Sequence, residues 1–373
     1  MNRIFCMKVV GVVAAGLFSA GLVFSGVSGM AATTAPTGAV LDLAGYQTPE
    51  EGIVTTFKGG NSADPYFGLY VLELARRGGL DVSEAASAFI TWGLSQQKPD
   101  GRFERYCKRD HLWERCGRAD SDDATLARWV HLLYQEGGAQ MPATWKESAD
   151  KAEAALEALK MANGIYSVFP HDTPGLKGYA LFKDNIEVLS VQEALSAHFR
   201  KLGDTERAEQ YLARAQALRT AMARHFGKEP YAMKRLALGA NYDRERFYPH
   251  AVSVPFGWME GYYPAPDAED WADWLGRYQK DWDANAAADF PWGLMALAAL
   301  HTGNLEVAAC WYQRYTPWRD RNYRWNVLEE AAWQIIGAHE PGTPADCPAA
   351  PTGSASAAEP EAGVKKSRRF LFF

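Results

Sequence analysis

The sequence of 373 residues predicts an all-α protein, an (α/α)6 toroid of helical hairpins with short β segments in its loops. Two observations lead to this prediction. Apolar residues recur at helical spacing through most of the chain between about 41 and 339. Six strongly apolar helical stretches also alternate with five or six more polar ones. A ring of buried helices inside a ring of half-solvated helices requires this alternation.

The helices are predicted as pairs in which an apolar helix is followed by a more polar one. The first pair covers 64–77 and 83–97, and its second helix begins at Ser83, a residue type favoured at helix starts. Later apolar helices are predicted to begin at Asp120, Asp184, His250, Asp289 and Asn326, and the polar helices cover 144–160, 205–226, 269–280 and 304–315. Strand-like runs are few, chiefly 165–169. Long loops precede the apolar helix of each pair, so functional side chains are expected where those loops meet the ring.

The two ends of the chain predict export. Residues 1–32 have the features of a signal peptide, because Arg3 and Lys8 precede a long apolar run that ends in small residues. An uncleaved membrane anchor is the alternative. The catalytic domain is expected over 33–339, in the periplasm or outside the cell. Residues 340–373 are predicted to form a disordered tail. Its basic and aromatic end offers a contact for a membrane or for exopolysaccharide secretion machinery.

Charge and cysteine content narrow the class of protein further. The net charge of −6 disfavours nucleic acid as a partner, since nucleic-acid binding needs a basic face. No spacing of Cys and His is typical of a zinc site, and neither a metal nor an organic cofactor is predicted. In an oxidising compartment Cys107 and Cys116 are expected to form a disulfide, and Cys310 is expected to be a buried thiol. A monomer is expected.

The most informative cluster is acidic. Asp120, Asp122 and Asp123 fall together at the start of one apolar helix, and crowded like charges raise the pKa of one member. Acid–base catalysis by a pair of carboxyl groups needs one of them protonated and the other ionised. Asp122 and Glu187 are therefore predicted as the first catalytic pair, with Glu104 and Asp123 as further catalytic candidates.

The same helix starts also supply candidate substrate-binding residues. These are Asp64, Tyr66, Asp120, Asp184, His250, Trp258, Asp289, Trp292 and Trp325. Aromatic rings stack on sugar faces while polar groups bind hydroxyls, so this composition favours a carbohydrate cleft. Basic residues are concentrated between 100 and 120, which makes an acidic sugar an alternative to a neutral one.

The pattern resembles the six-hairpin glycosidases, and distantly glycoside hydrolase family 8, which includes bacterial cellulases. The family's motif A-S-D-G-D-x-D-I-A is similar to 119–127, where Asp123 keeps an acidic position. Its motif S-E-G-x-G-Y-G-M is similar to 62–69, where Ala63 replaces the glutamate and Asp64 comes one place later. The resemblance implies an exported hydrolase of a bacterial exopolysaccharide or a β-glucan.

Three alternatives remain open at this point. A polysaccharide lyase and a non-catalytic protein of exopolysaccharide binding or assembly both fit an exported toroid. Residues 120–123 also spell D-x-D-D, the acid motif of class II terpene cyclases, and 97–103 resembles a repeat of those proteins. In both the glycosidase and the cyclase reading, Asp122 is the proton donor.

Overall fold

The computed structural model describes residues 38–48, 52–173, 178–226, 234–235, 239–240, 247–344 and 346–351. These residues belong to one unit, 34–373. The predicted signal peptide and the basic and aromatic end of the tail lie outside the described residues.

Eleven α-helices follow one another in this part of the chain. They are α1 Pro65–Arg77, α2 Ser83–Gln96, α3 Asp122–Gly137, α4 Ala143–Ala158, α5 Phe182–Lys201, α6 Thr205–Phe226, α7 Val252–Met259, α8 Ala268–Ala288, α9 Gly293–His301, α10 Leu305–Asp320 and α11 Val327–Ala338. Each odd-numbered helix contacts the next odd-numbered one, and α11 contacts α1, so six inner helices form a closed ring. The five even-numbered helices form the outer layer. This is the predicted (α/α)6 architecture.

Burial separates the two rings as the apolar pattern predicts. In the inner helix α9 every residue from Gly293 to Leu300 is buried, whereas the outer helix α4 buries only four residues along one face. A helix that is apolar all round needs neighbours on every side, and a helix with one apolar stripe can keep its other face in water. Because an outer helix returns the chain between successive inner helices, the inner N-termini lie at one end of the ring.

In the part of the chain that the structure describes, six short strands form two small sheets. They are β1 Ser62–Ala63, β2 Glu104–Arg109, β3 Leu112–Arg118, β4 Tyr179–Ala180, β5 Lys234–Arg235 and β6 Gly239–Ala240. Each sheet is antiparallel, in the orders β1-β2-β3 and β4-β5-β6. The predicted strand-like run 165–169 contributes only an isolated bridge between Tyr166 and Lys160.

The β2–β3 hairpin was not predicted as strands. Its two-residue turn consists of Asp110 and His111, with φ angles of 46° and 69°. Positive φ at both central residues matches the right-handed twist of the flanking strands. Two of its residues, Cys107 and Cys116, are joined by the predicted disulfide.

A second disulfide joins Cys310 of α10 to Cys347, so the prediction of a thiol at Cys310 was wrong. A disulfide-bonded cysteine can lie on an apolar helical face as well as a free thiol can, so the sequence pattern does not distinguish the two. Only the fold brings Cys347 of the tail beside α10. Arg314 Nη2 also donates to the carbonyl of Ala349 at 3.2 Å. Two disulfides are typical of proteins that fold in an oxidising compartment. Among the described residues, no helix has the length and apolar character to span a bilayer.

Candidate active site

The acidic start of α3 directs its side chains into three different environments. Asp120 and Ser121 line a small cavity at the centre of the ring, Asp122 lines a larger cavity beside the hairpin, and Asp123 is enclosed in the interior. The sequence predicted one acidic cluster, whereas the structure divides it. The reason is geometric, because successive residues at a helix start differ in direction by about 100°.

The larger cavity, called the hairpin cavity below, has a volume of about 370 Å³. Its lining residues are Lys98, Arg102, Phe103, Glu104, Arg118, Asp122, Asp172 and Thr173. Glu104 and Arg118 face each other as the first pair of the β2–β3 ladder, and Asp122 is the first residue of α3. The base of a β-hairpin and the start of an inner helix therefore build this cavity together.

Asp122 is a buried acid in this cavity, with 3% of its surface exposed. Burial raises its pKa to about 7, although Arg102, Arg118 and Lys98 act in the opposite direction. Its backbone N–H donates to the carbonyl of Val168 at 3.0 Å, which fixes the residue. A carboxyl group with this pKa holds a proton near neutral pH and releases it readily, as a general acid requires.

Glu104 is the second predicted carboxylate that lines the hairpin cavity. Its Oε1 lies 3.0 Å from Lys98 Nζ, and 31% of its side chain is exposed. Glu104 is therefore an ion-paired, solvent-accessible carboxylate beside the buried acid Asp122.

The central cavity is much smaller, about 30 Å³, which is close to the volume of one water molecule. It brings together four of the predicted substrate-binding residues, Tyr66, Asp120, Asp184 and Trp292, and Tyr248 lines it as well. In this conformation the cavity has room for water and not for a sugar ring.

Asp64, another predicted substrate-binding residue, lies at the edge of this region. Its Oδ2 accepts from Arg105 Nε at 2.8 Å, and Arg105 Nη2 lies 3.9 Å from Asp120 Oδ1. Burial, followed by the charge of Asp64, raises the pKa of Asp120 well above its usual range. Burial also raises the pKa of Asp184 to about 7. Arg105 thus lies close to the carboxyl groups of both Asp64 and Asp120.

Asp123 has no exposed surface. The hydroxyl oxygen of Ser121 lies 2.6 Å from Asp123 Oδ1 and 3.1 Å from Asp184 Oδ2. A serine hydroxyl has a single proton to donate, so two such contacts are satisfied when one carboxyl group is protonated. Burial, reinforced by the charge of Asp184, raises the pKa of Asp123 well above its usual range. Asp123 is a buried structural acid with no access to substrate.

Glu187 is also enclosed, and its side chain has no exposed surface. Its Oε1 accepts from Lys183 Nζ at 2.5 Å and from the Tyr66 hydroxyl at 3.0 Å, and Arg128 Nη2 lies 3.7 Å away. Glu187 does not line the hairpin cavity. The structure therefore does not bring Asp122 and Glu187 together, because α5 directs Glu187 into an ion-paired cluster inside the ring.

Two predicted aromatic residues lie away from both cavities. Trp325 is 1% exposed, stacks on Trp311 and donates to Glu330 Oε2 at 2.9 Å. Trp258 lies near the C-terminal end of α7, at the opposite end of the ring from the cavities, and packs against Trp271. Both were predicted to bind substrate, and in the structure both contribute to the packing of the toroid.

The two remaining predicted residues lie outside both cavities, His250 buried just before α7 and Asp289 with an exposed surface after the end of α8. His250 is 1% exposed and lies in the irregular turn 247–251 before α7. Asp289 lies between α8 and α9, where burial raises its pKa to about 6 despite the charge of Arg324. Neither lines the hairpin cavity.

Sequence reasoning missed several residues of the hairpin cavity, namely Lys98, Asp172 and Thr173. Lys98 falls within the repeat-like segment 97–103, but no motif marks Asp172 and Thr173, and only the fold brings all three beside Asp122. Among the described residues, no group of three or more His, Cys, Asp or Glu side chains is placed to hold a metal ion.

Comparison with known proteins shows the fold. No protein-family model matches the chain. No curated protein sequence matches it either. An α-amylase from Clostridium perfringens, described as novel, has a similar structure with a TM-score of 0.50 and 10% identity, over 79% of this chain and 94% of that chain. The chain thus shares its fold with this protein, as the resemblance to six-hairpin glycosidases predicts.

Two further solved structures have lower scores. A family 8 endoglucanase from Klebsiella pneumoniae gives a TM-score of 0.44 at 16% identity, over 79% of this chain and 96% of that chain. An α-L-rhamnosidase from Aspergillus terreus gives 0.46 at 11% identity, over 78% of this chain and 37% of that chain.

Proposed function

We propose that this protein is an exported glycoside hydrolase that cleaves a bacterial exopolysaccharide or a β-glucan. The observation that supports this most directly is the hairpin cavity, where the buried acid Asp122 and the accessible carboxylate Glu104 line one volume of about 370 Å³. A cavity of that size falls in the range that holds a small-molecule ligand. The predicted signal peptide and the two disulfides support export.

The chemistry assigns one role to each carboxyl group. Asp122 donates its proton to the oxygen of the glycosidic bond as that bond breaks, and Glu104 removes a proton from the water that attacks the anomeric carbon. Both groups then return to their starting states by proton exchange with solvent. Of the two residues of the predicted pair, this assignment retains Asp122, and Glu104 takes the place of Glu187.

Product analysis tests the proposal against its alternatives. The full chain is incubated with a panel of β-glucans and bacterial exopolysaccharides, and new reducing ends are measured. An unsaturated product that absorbs ultraviolet light would instead indicate a lyase, and tight binding without product would indicate an assembly role. The cyclase alternative needs an apolar cavity for its polyene, whereas the residues around Asp122 are mostly charged.

The pKa of Asp122 predicts how hydrolysis depends on pH. Because the acid must carry its proton, kcat is expected to fall about tenfold per pH unit above about pH 7. Arg118 lowers the pKa of Asp122, so Arg118→Gln is expected to move this alkaline limb to higher pH. A pH–rate profile from pH 4 to 9 for both proteins measures the effect. A limb that stays in place in Arg118→Gln would assign the titration to another group.

A further inference from the structure

The face of the β2–β3 hairpin that lines the hairpin cavity continues outward beyond it. The ladder pairs Glu104 with Arg118, Tyr106 with Arg115 and Lys108 with Trp113. Directly opposed residues of an antiparallel pair share a face, and so do alternate residues along the regular strand β2. A register shift between Arg105 and Tyr106 skips Cys116, so Arg115 faces Tyr106 although it is three residues from Arg118. Glu104 and Arg118 line the cavity, so Arg115, Lys108 and Trp113 extend the same face by about 13 Å.

This face is cationic in an acidic protein. Residues 104–118 contain five Lys or Arg and three Asp or Glu, while the whole chain carries a net charge of −6. Arg115 and Arg118 are exposed and Lys108 is half-buried. The hairpin therefore concentrates positive charge at the mouth of the cavity.

Three cations close to this face each have a carboxylate partner. Lys98 is paired with Glu104, Arg102 with Asp100 and Arg105 with Asp64. Within the described part of the chain, no ion pair joins a carboxylate to Lys108, Arg115 or Arg118. Lys108 instead lies 5.7 Å from the ring centre of Trp113, and Arg118 lies 5.0 Å from that of Phe169.

A row of cations with one aromatic ring suits a particular class of chain. Carboxylate groups of a polysaccharide can pair with Arg and Lys, while a sugar face can stack on the Trp113 ring. A neutral glucan would leave the charges without partners. We propose that the face formed by Arg118, Arg115, Lys108 and Trp113 binds an acidic polysaccharide and leads it into the hairpin cavity. This substrate class rests on the proposed function, although binding can be measured without turnover.

The test compares two double variants that remove the same charge. Lys108→Gln/Arg115→Gln changes the hairpin outside the cavity, and Lys146→Gln/Lys151→Gln changes exposed cations of the outer helix α4. Both are made in the full chain. Their affinity for polygalacturonate and alginate oligosaccharides, and for a neutral cello-oligosaccharide, is measured by calorimetry at two salt concentrations. Circular dichroism checks that both variants fold.

The acidic chains are expected to bind the wild type more tightly than the neutral chain, and less tightly at high salt. The hairpin variant is expected to bind the acidic chains about tenfold more weakly, since it loses two exposed ion pairs with carboxylates of the polysaccharide. The α4 variant is expected to stay within twofold of the wild-type affinity. Equal affinity for acidic and neutral chains, or equal losses in both variants, would overturn the proposal. If acidic chains bind and no chain of the panel is cleaved, this inference stands and the hydrolase is contradicted. If only neutral chains bind and are cleaved, the hydrolase stands and this inference is contradicted.

Discussion

Asp122→Asn is expected to lower kcat for polysaccharide hydrolysis by about 10²- to 10⁴-fold, the usual contribution of a general acid. An asparagine has nearly the same shape as the protonated aspartic acid but has no acidic proton for the leaving oxygen. Release of reducing ends under substrate saturation measures the loss. The substrate is whichever polysaccharide of the panel the wild type cleaves.

A matched control for this variant is Asp289→Asn. Asp289 is another carboxyl group with a raised pKa, in the segment between α8 and α9, but it does not line the hairpin cavity. Its variant is expected to keep kcat within a few-fold of wild type. Equal losses in the two variants, or full activity in Asp122→Asn, would contradict the assignment of Asp122.

The Asp122→Asn protein is also expected to remain folded. Burial raises the pKa of Asp122 above that of the unfolded chain, so the folded state binds this proton more tightly. The free energy of unfolding contributed by this group therefore falls as pH rises from about 4 to about 7. Asparagine is neutral throughout this range, so the variant should be at least as stable as the wild type at pH 8.

Lys183→Met is expected to lower the free energy of unfolding by about 3–5 kcal/mol, because it leaves the buried charge of Glu187 without its closest partner. Lys183 is 7% exposed and contacts Glu187 at 2.5 Å and the Tyr66 hydroxyl at 2.9 Å. Chemical denaturation at pH 7 measures the change. Lys183→Met/Glu187→Gln should recover part of the loss, since the unpaired charge is then removed.

Lys146→Met provides the comparison for an exposed pair. Lys146 Nζ lies 2.7 Å from Asp150 on the surface of α4, and such pairs contribute less than about 1 kcal/mol. If Lys183→Met were no less stable than Lys146→Met, the cluster around Glu187 would not be structural. Glu187 would then return as a candidate for catalysis.

Much of the helical ring could be predicted from the amino-acid pattern. The pairs of apolar and polar helices were recognised because burial on all sides demands a different composition from burial on one side. Predicted helix starts fall within a few residues of those observed, as for Ser83 and Asn326. The hairpin was missed because its Asp110-His111 turn lacks the Asn-Gly or Asp-Gly pair that usually marks such turns.

The candidate site could be predicted only in part. Asp122 and Glu104 were both proposed from their surroundings in the sequence, and they line one cavity in the structure. Glu187 was paired with Asp122 because both follow long loops into apolar helices. Its direction depends on Lys183, Tyr66 and Arg128, which come from three different inner helices or their first turns.

The sequence by itself determined the order of helices, their sorting into inner and outer rings and the acidic start of α3, because these depend on local periodicity and residue type. Only the tertiary structure decided which carboxyl groups share a cavity, which carboxyl groups are enclosed with cations, and where the basic hairpin lies relative to the cavity. Those outcomes depend on contacts between residues far apart in the chain. Asp122 and Glu104 line one cavity because a hairpin packs against a helix start, and no local sequence pattern predicts that packing.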